Sequence, residues 1–471
     1  MNHLKTVILL ICFVNGLSAG AQQELHQFQF EYRGLVTAGD YAPFWLQSQQ
    51  YGKVSPQPLS TSLQADFFKS FNSLQISKSL DFSYRASLLA IAAGNSGNKI
   101  FFPELYLHAR WLIFDLFAGI KEEKNGFIES DLSVGGFLHS TNARPFPKIT
   151  AGIERFTSFP LIGKMIEFKG ALSHGWFDDN IFAPGIMMHH KYLHLRLGGN
   201  LPVRIYGGLD HVAQWGGKLP NGTEQKFSIR NFSNIFLGRS GAGSSNPLEL
   251  ANLEGNHIIS QHLKIETRLE KLNVQVYWEV LTEDKPIKLL QWNTRNRRDG
   301  LWGVSIKNDY FQWINNITYE YFNTLDQGGI WHDKDGIVYG GSDRYLYNYL
   351  YKNGWSHFGR TVGSPLILSP SYNKNQQVEI RYNDVRTHHL GIRGKAGNWS
   401  YKALGTYSRY FPDNRTPYHP HFFWMIEVNH PFPWIRKGSI SIAFGGDKGS
   451  ITGNNTGIMF TFRKNGFLFQ P

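Results

Sequence analysis

The sequence predicts an all-β fold: a transmembrane antiparallel up-and-down β-barrel of about 18 strands, with long extracellular loops and short periplasmic turns. Three observations predict it. Apolar and polar residues alternate with a period of two in segment after segment. Short connections between those segments alternate with long ones. The chain opens with the pattern of a secretory signal.

The alternation is clearest in 79–92, SLDFSYRASLLAIA. Leu80, Phe82, Tyr84, Ala86, Leu88 and Ala90 fall on one side of an extended strand, and Ser79, Asp81, Ser83, Arg85 and Ser87 on the other. A helix would set Leu80 and Phe82 about 200° apart and spoil both faces. The polar face stops at Leu89 and Ile91, so the outer end of this strand is expected to pack against a loop or plug.

The same pattern defines the other strands in order. It begins at 28–36, where Phe28, Phe30 and Tyr32 oppose Gln29, Glu31 and Arg33, and continues at 63–71, 104–112 and 114–121. Next come 148–156, 165–174, 191–199 (Leu193, Leu195 and Leu197 against Tyr192, His194 and Arg196) and 203–211. Then follow 257–269, 272–280, 301–309, 313–322, a long segment at 377–394, and finally 399–410, 422–430, 439–446 and 456–463. Short connections lie at 200–202, 310–312 and 395–398, and long ones at 37–62, 122–147, 212–256, 282–299 and 323–376. If 28–36 runs outward, every long loop lands on the outer side.

Lys5, an apolar run over 7–17 and Ala19-Gly20-Ala21 form the signal pattern. The run is too short to span a bilayer as a helix, which takes about 20 residues. The expected organisation is a signal peptide at 1–21 and a single barrel domain over 22–471, because a closed sheet leaves no edge in lipid. Cys12 is the only cysteine and lies inside the signal, so the mature chain offers no disulfide and no thiolate metal site. Aromatic residues at 15% and 48 glycines suit strands joined by many turns. The net charge of +12 points to polyanions such as acidic polysaccharide or lipopolysaccharide phosphates, and export excludes nucleic acid.

Residues that could carry chemistry are few. His189-His190, His388-His389 and the pair His419 and His421 are potential ligands, but adjacent strand residues point to opposite faces and cannot chelate together. They read as lumen or loop residues, with no metal or cofactor expected. Asp210-His211 diverge for the same reason, and no Gly-x-Ser-x-Gly is present. Gly238 to Gly243 reads as a loop rather than a phosphate cradle. No enzymatic activity is expected. The loops, by contrast, are rich in rings and cations. Trp331, Tyr345, Tyr347, Trp355 and Arg360, with Arg295 and Arg297 in the preceding loop, are the candidate glycan-binding residues. Aromatic faces pack on sugar C–H faces, and guanidinium groups pair with uronate or phosphate.

Two stretches carry a family resemblance: Ala42-Pro43-Phe44-Trp45-Leu46 with Gln49-Gln50-Tyr51-Gly52, and Gly208-Leu209-Asp210-His211 with Gln214-Trp215-Gly216-Gly217. With the signal and the strand pattern, the chain resembles the capsule assembly Wzi family of Gram-negative outer-membrane proteins. The resemblance implies an 18-stranded barrel in the cell outer membrane that binds capsular polysaccharide as a surface lectin. It also implies contact with outer-membrane lipids and lipopolysaccharide, and a monomer is expected. Family members carry a helical bundle ahead of the barrel, for which 22–27 leaves no room here. That bundle blocks the periplasmic mouth, so if the mouth is closed here, an inward-folded loop such as 40–52 is expected to close it. The alternative is a porin-like channel for small, anionic solutes, with Arg85, Arg110, Arg204 and Arg268 lining the lumen.

Overall fold

A computed structural model describes residues 26–467 except 73–78, 95–96, 129, 179–183, 219–223, 226, 240–253, 284–297, 331, 336, 342–343, 374–376, 412–416 and 433. The expected signal peptide at 1–21 therefore lies outside the described residues, as do Trp331, Arg295 and Arg297.

Eighteen strands form one closed antiparallel sheet. They are β1 Gln27–Ala38, β2 Leu59–Lys69, β3 Asp81–Ala93, β4 Leu105–Trp111, β5 Phe114–Ile120 and β6 Lys148–Phe159. These are followed by β7 Gly163–Trp176, β8 Ile186–Leu197, β9 Val203–Lys218, β10 Asn256–Arg268, β11 Leu272–Glu283 and β12 Gly300–Asn308. The series ends with β13 Asn316–Asn323, β14 Val385–Ala396, β15 Trp399–Tyr410, β16 His419–Phe432, β17 Gly438–Gly449 and β18 Asn455–Phe467. Each strand pairs with the next, and β1 closes on β18 from Gln27 opposite Phe467 to Ala38 opposite Thr456. Closure gives every strand a neighbour on both sides, which is what a sheet in lipid requires because no water is there to satisfy an open edge.

Side chains alternate as the sequence predicts. On β3, Leu88 faces out and is 45% exposed, whereas Asp81, Ser83 and Ser87 face in and are buried. Leu89 and Ile91 are buried too, as expected for an outer end that packs inward. Leu116, Ile149, Leu193, Ile205, Val276, Val304 and Ile442 continue the outward apolar band. At the short-turn end the exposed rings Trp111, Phe114, Phe159, Tyr310, Phe311, Trp313, Trp399 and Trp434 form a girdle, the arrangement favoured where hydrocarbon meets headgroups. The turns between β4 and β5 and between β14 and β15 are two residues long. Gly397 takes φ +61° in the second, a conformation open to glycine at little cost.

All eighteen predicted segments are strands, with differences at their ends. The segment at 377–394 enters the sheet only at Val385, and Trp313 lies in a turn, 76% exposed. β9 runs on to Lys218, through residues that the pattern assigns to a loop. There Val212 packs inside the barrel, while Ala213 and Trp215 are covered from outside by a helix, α2 (Ile229–Leu237). With both faces dry, the polar alternation disappears and with it the strand signal. Ser228 caps α2 by accepting the Asn231 N–H, and Gly238 ends it in the left-handed conformation, so this glycine is a helix stop.

The apolar core lies inside the barrel. Three long loops fold back into its outer half: 39–58, which carries a single helical turn α1 (Phe44–Gln47), then 121–147, then 324–384. Phe44, Trp45, Leu46, Leu132, Val134, Phe137, Leu138, Leu346, Trp355 and Leu366 are each at most 2% exposed. The loop at 40–52 does fold inward, but from the end where the long loops lie, so it fills the outer half of the lumen rather than the periplasmic mouth.

Arginine at Leu88 is expected to destabilise the barrel by about 2–4 kcal/mol if that position sits near mid-bilayer. Arginine at Leu80, on the same face but at the short-turn end, is expected to cost about 0–1 kcal/mol. Denaturant titration of refolded protein in lipid vesicles measures both. Equal costs at the two depths would contradict a membrane-spanning β3.

Candidate functional site

The plug is held by carboxylates on the barrel wall that accept its backbone N–H groups. Glu279 on β11 accepts from Phe137 at 2.9 Å and Leu138 at 3.0 Å. Glu320 on β13 accepts from the Val134 N–H at 2.7 Å and the Ser133 hydroxyl at 2.6 Å. Asp447 on β17 accepts from the Phe44 N–H at 2.9 and 3.0 Å. Strand backbones spend their own carbonyl acceptors on the ladder, so side chains must receive the loop N–H groups packed against the wall. Further links come from His389 Nε2 to the Leu132 carbonyl at 2.7 Å, Trp45 Nε1 to Thr406 at 2.9 Å and Tyr410 to the Leu366 carbonyl at 3.0 Å.

The sequence-predicted site residues separate on this scaffold. Tyr345 donates to Asp299 at 2.9 Å, and Trp355 Nε1 donates to the Leu138 carbonyl at 2.8 Å; both rings are within 1% of full burial and belong to the plug. Tyr347 is half-buried. Arg360 is buried and donates to Gln47 and to the Val54 carbonyl, not to a carboxylate. The placement of Trp331, Arg295 and Arg297 falls outside the described residues.

Arg360 nevertheless belongs to a group that sequence reasoning did not assemble. A Cβ on Gly52 would lie 2.9 Å from Arg144 Cγ and 3.6 Å from Arg360 Cδ, so the two arginines meet across this glycine. The Arg144 guanidinium stacks on Phe101 at 3.4 Å and Phe358 at 4.5 Å. Burial, and next the charge of Arg360, pushes Arg144 down to about 10. Lys99 is lowered by burial and then by both arginines. Three cations from the loops at 94–104, 121–147 and 324–384 thus repel one another, and among the described residues none of them makes an ion pair with a carboxylate. Exposed rings flank them: Phe102 at 48% and Phe358 at 44%. No motif links these positions; they meet only because three loops enter one mouth.

The lumen arginines proposed for a channel are differently placed. Arg85 pairs with Glu104 at 2.6 Å, Arg110 with Asp115 at 2.9 Å and Arg268 with Glu266 at 2.9 Å, while Arg204 donates to the Gly199 carbonyl at 3.0 Å.

A second cluster lies on the inner wall. Asp210 on β9 has His190 Nε2 at 3.0 Å from Oδ1, and His194 Nε2 at 2.6 Å and His262 Nε2 at 3.0 Å from Oδ2. His139 of the plug stacks on His190 with ring centroids 4.8 Å apart. The grouping His108, Asp115 and Glu154 is also compact, but Arg110 and Arg155 already face Asp115 at 2.9 and 4.0 Å and balance its charge. The expectation that neighbouring histidines cannot chelate together holds for His189 and His190, which face opposite sides of β8. The residues that do converge come from β8, β9 and β10. The i, i+4 pair His190 and His194 on one strand face was the available signal.

The sequence matches no family model and no curated protein. Among solved structures, the chain is similar to Wzi, an outer membrane protein involved in group 1 capsule assembly in Escherichia coli and described as a carbohydrate binding β-barrel. The TM-score is 0.58 at 11% identity, over 92% of this chain and 83% of that one. It also superposes on Pseudomonas aeruginosa OprD (TM-score 0.49, 7% identity, 95% and 96% covered) and Acinetobacter baumannii OccAB4 (0.47, 8%, 95% and 99%). At these identities the likeness to Wzi is one of fold: the chain is an outer-membrane β-barrel.

Replacing Glu279 and Glu320 together by alanine strands three plug N–H groups in the barrel, each at a cost of about 1–3 kcal/mol. The double variant is expected to keep the barrel, seen as heat-modifiable mobility on gels, but to become sensitive to protease within 130–140. Protection equal to that of the wild type would show that these carboxylates do not hold the plug.

Proposed function

We propose that this outer-membrane barrel is a lectin that binds acidic extracellular polysaccharide, of the kind that forms capsules, at its outer loops and performs no chemistry. The observation that carries this reading is the cluster of Lys99, Arg144 and Arg360 beside Phe101, Phe102 and Phe358. The carboxylate that acts on Arg144, Asp178, is already engaged by His357 at 3.0 Å and the Phe358 N–H at 2.9 Å, so the cations keep a deficit of negative charge that a uronate or phosphate offsets. Flat rings beside them suit sugar C–H faces. The carbohydrate binding of Wzi, a barrel of similar fold, supports the same reading. Tyr347, half-buried in the same loop, is a further candidate ring contact, as is Trp331 by its place in the sequence, while Tyr345 and Trp355 support the surface from the plug. A long repeating polymer would engage several such contacts weakly and be retained by avidity.

The second reading is a channel for small anions. It is less supported, because the outer lumen is filled with apolar side chains and three of its four candidate arginines are ion-paired.

Titration calorimetry of detergent-solubilised protein with a uronate-containing capsular polysaccharide is expected to show binding that weakens with salt, and none with neutral dextran. Arg144→Gln is expected to weaken binding about 10-fold or more, the scale of one charge-assisted hydrogen bond. Wild-type affinity in Arg144→Gln removes this cluster as the site. A steady open pore in planar bilayers, together with no polysaccharide binding, selects the channel.

A further inference from the structure

The inner-wall cluster is not needed for either reading, and its chemistry is specific. Asp210 lies directly opposite Tyr192 on β8 and Ser260 on β10, so His190, His194 and His262 reach it diagonally from the two neighbouring strands. Gly208 stands opposite both His194 and His262. A Cβ there would lie 2.6 Å from His194 Cδ2 and 3.0 Å from Phe127 Cζ, so only glycine lets the His194 imidazole and the Phe127 ring close over this position. Hydrogen bonding does not exhaust the donor atoms. His262 Nε2 is 3.0 Å from Asp210 Oδ2 but poorly aligned for a hydrogen bond, and His194 Nδ1 and His139 Nε2 have no partner among the described residues. All three histidine side chains on the wall are at most 3% exposed, apart from His262 at 6%. Glu279 Oε2 stands 4.0 Å behind His262 Nδ1, where a carboxylate steadies a ligating imidazole.

We infer that Asp210, His194 and His262, whose ligand atoms lie within 4.8 Å of one another, form a three-ligand site, with a fourth position left for water, for a divalent cation of the zinc class inside the barrel. Two imidazoles and one carboxylate suit Zn²⁺, Co²⁺ or Ni²⁺ and do not suit Mg²⁺ or Ca²⁺, which take oxygen ligands. Ligands about 2.1 Å from a tetrahedral zinc stand about 3.4 Å apart, so the present separations of 2.6–3.0 Å need to open by less than 1 Å. A cavity of about 290 Å³ lined by His190, His194 and Asp210 gives an ion a way in. Its wall carries Lys121, Lys124, Lys148 and Lys169 against Glu122, Glu123, Glu154 and Asp210, so no excess of positive charge bars a cation. His139 groups with His190 and Asp210, their ligand atoms within 4.8 Å of one another. Phe127 of the 121–147 loop packs edge-on against both His194 and His262, with ring centroids 4.7 and 5.6 Å away, so an ion that fixes these two imidazoles also steadies that loop against the wall.

The test uses full-length, tag-free protein refolded in detergent and treated with chelator, titrated with Zn²⁺ alone and then with Co²⁺. One equivalent of Zn²⁺ is expected to bind, with Co²⁺ giving the intense visible absorption of a tetrahedral nitrogen and oxygen site. Asp210→Asn and His262→Gln are each expected to weaken Zn²⁺ binding by 10-fold or more, whereas His332→Gln, in an exposed loop, leaves it unchanged. In wild-type protein, Zn²⁺ is expected to slow amide hydrogen exchange within 130–140, a readout that needs no variant to fold. No stoichiometric Zn²⁺ binding by the wild type, or binding retained when Asp210 and His262 are both replaced in a folded barrel, overturns the site. Binding without slower exchange overturns the fastening of the plug.

Discussion

A loop can fill a β-barrel only if its backbone amides find acceptors inside, and this constraint organises the molecule. The wall strands spend their own N–H and C=O groups on one another, so a loop entering the lumen brings donors that the sheet cannot receive. Glu279, Glu320 and Asp447 supply the acceptors, each gripping plug N–H groups at 2.7–3.0 Å. Their spacing around the wall, on β11, β13 and β17, fixes two of the loops at separate points. Once those amides are satisfied, the apolar side chains of the same segments can pack as an ordinary core, with burial contributing roughly 25 cal/mol per Å². The plug then holds the outer cations in one mouth and brings His139 to the inner wall. Both sites depend on the same few carboxylates.

The wall of the barrel was legible because half of each strand faces lipid, and lipid imposes a strict period of two. Segments such as 79–92 and 191–199 state that period openly. Legibility fails wherever a strand leaves the bilayer and becomes dry on both faces. Residues 212–218 look like loop in the sequence because Val212 meets the plug and Trp215 meets α2. The segment 377–384 fails in the opposite sense: its residues carry strand-like alternation, yet Asn383 turns its amide onto the Tyr345 carbonyl as part of the plug. The inward fold of 40–52 was anticipated, but from the need for closure rather than from the residues themselves.

The sites were hidden for a different reason: both are products of register. His190, His194, Asp210 and His262 are 72 positions apart at the extremes. They become neighbours only when β8, β9 and β10 pair with Leu193 opposite Leu209 and Leu209 opposite Gln261. A slip of one residue would turn Asp210 to the lipid and leave the histidines behind. Tyr345 and Trp355 show the converse error, in which ring-rich composition was taken for a binding surface although the plug needs rings to fill a wide lumen.

Charge placement connects these observations. The chain carries +12, yet the membrane-spanning part of the lumen is largely paired: Arg85, Arg110, Arg196 and Arg268 each meet a carboxylate within 2.9 Å. Burying a charge in a low-dielectric barrel is costly unless it is paired, so the transmembrane wall tolerates little surplus. At the outer mouth, water lowers that cost for exposed Lys99 and half-buried Arg144, while buried Arg360 is held by the Gln47 and Val54 oxygens instead of a carboxylate. A protein that moved anions through its centre would place its unpaired cations along the lumen. The proposed polyanion contact calls for cations at the mouth, against rings and above an apolar plug, and Lys99 and Arg144 lie there.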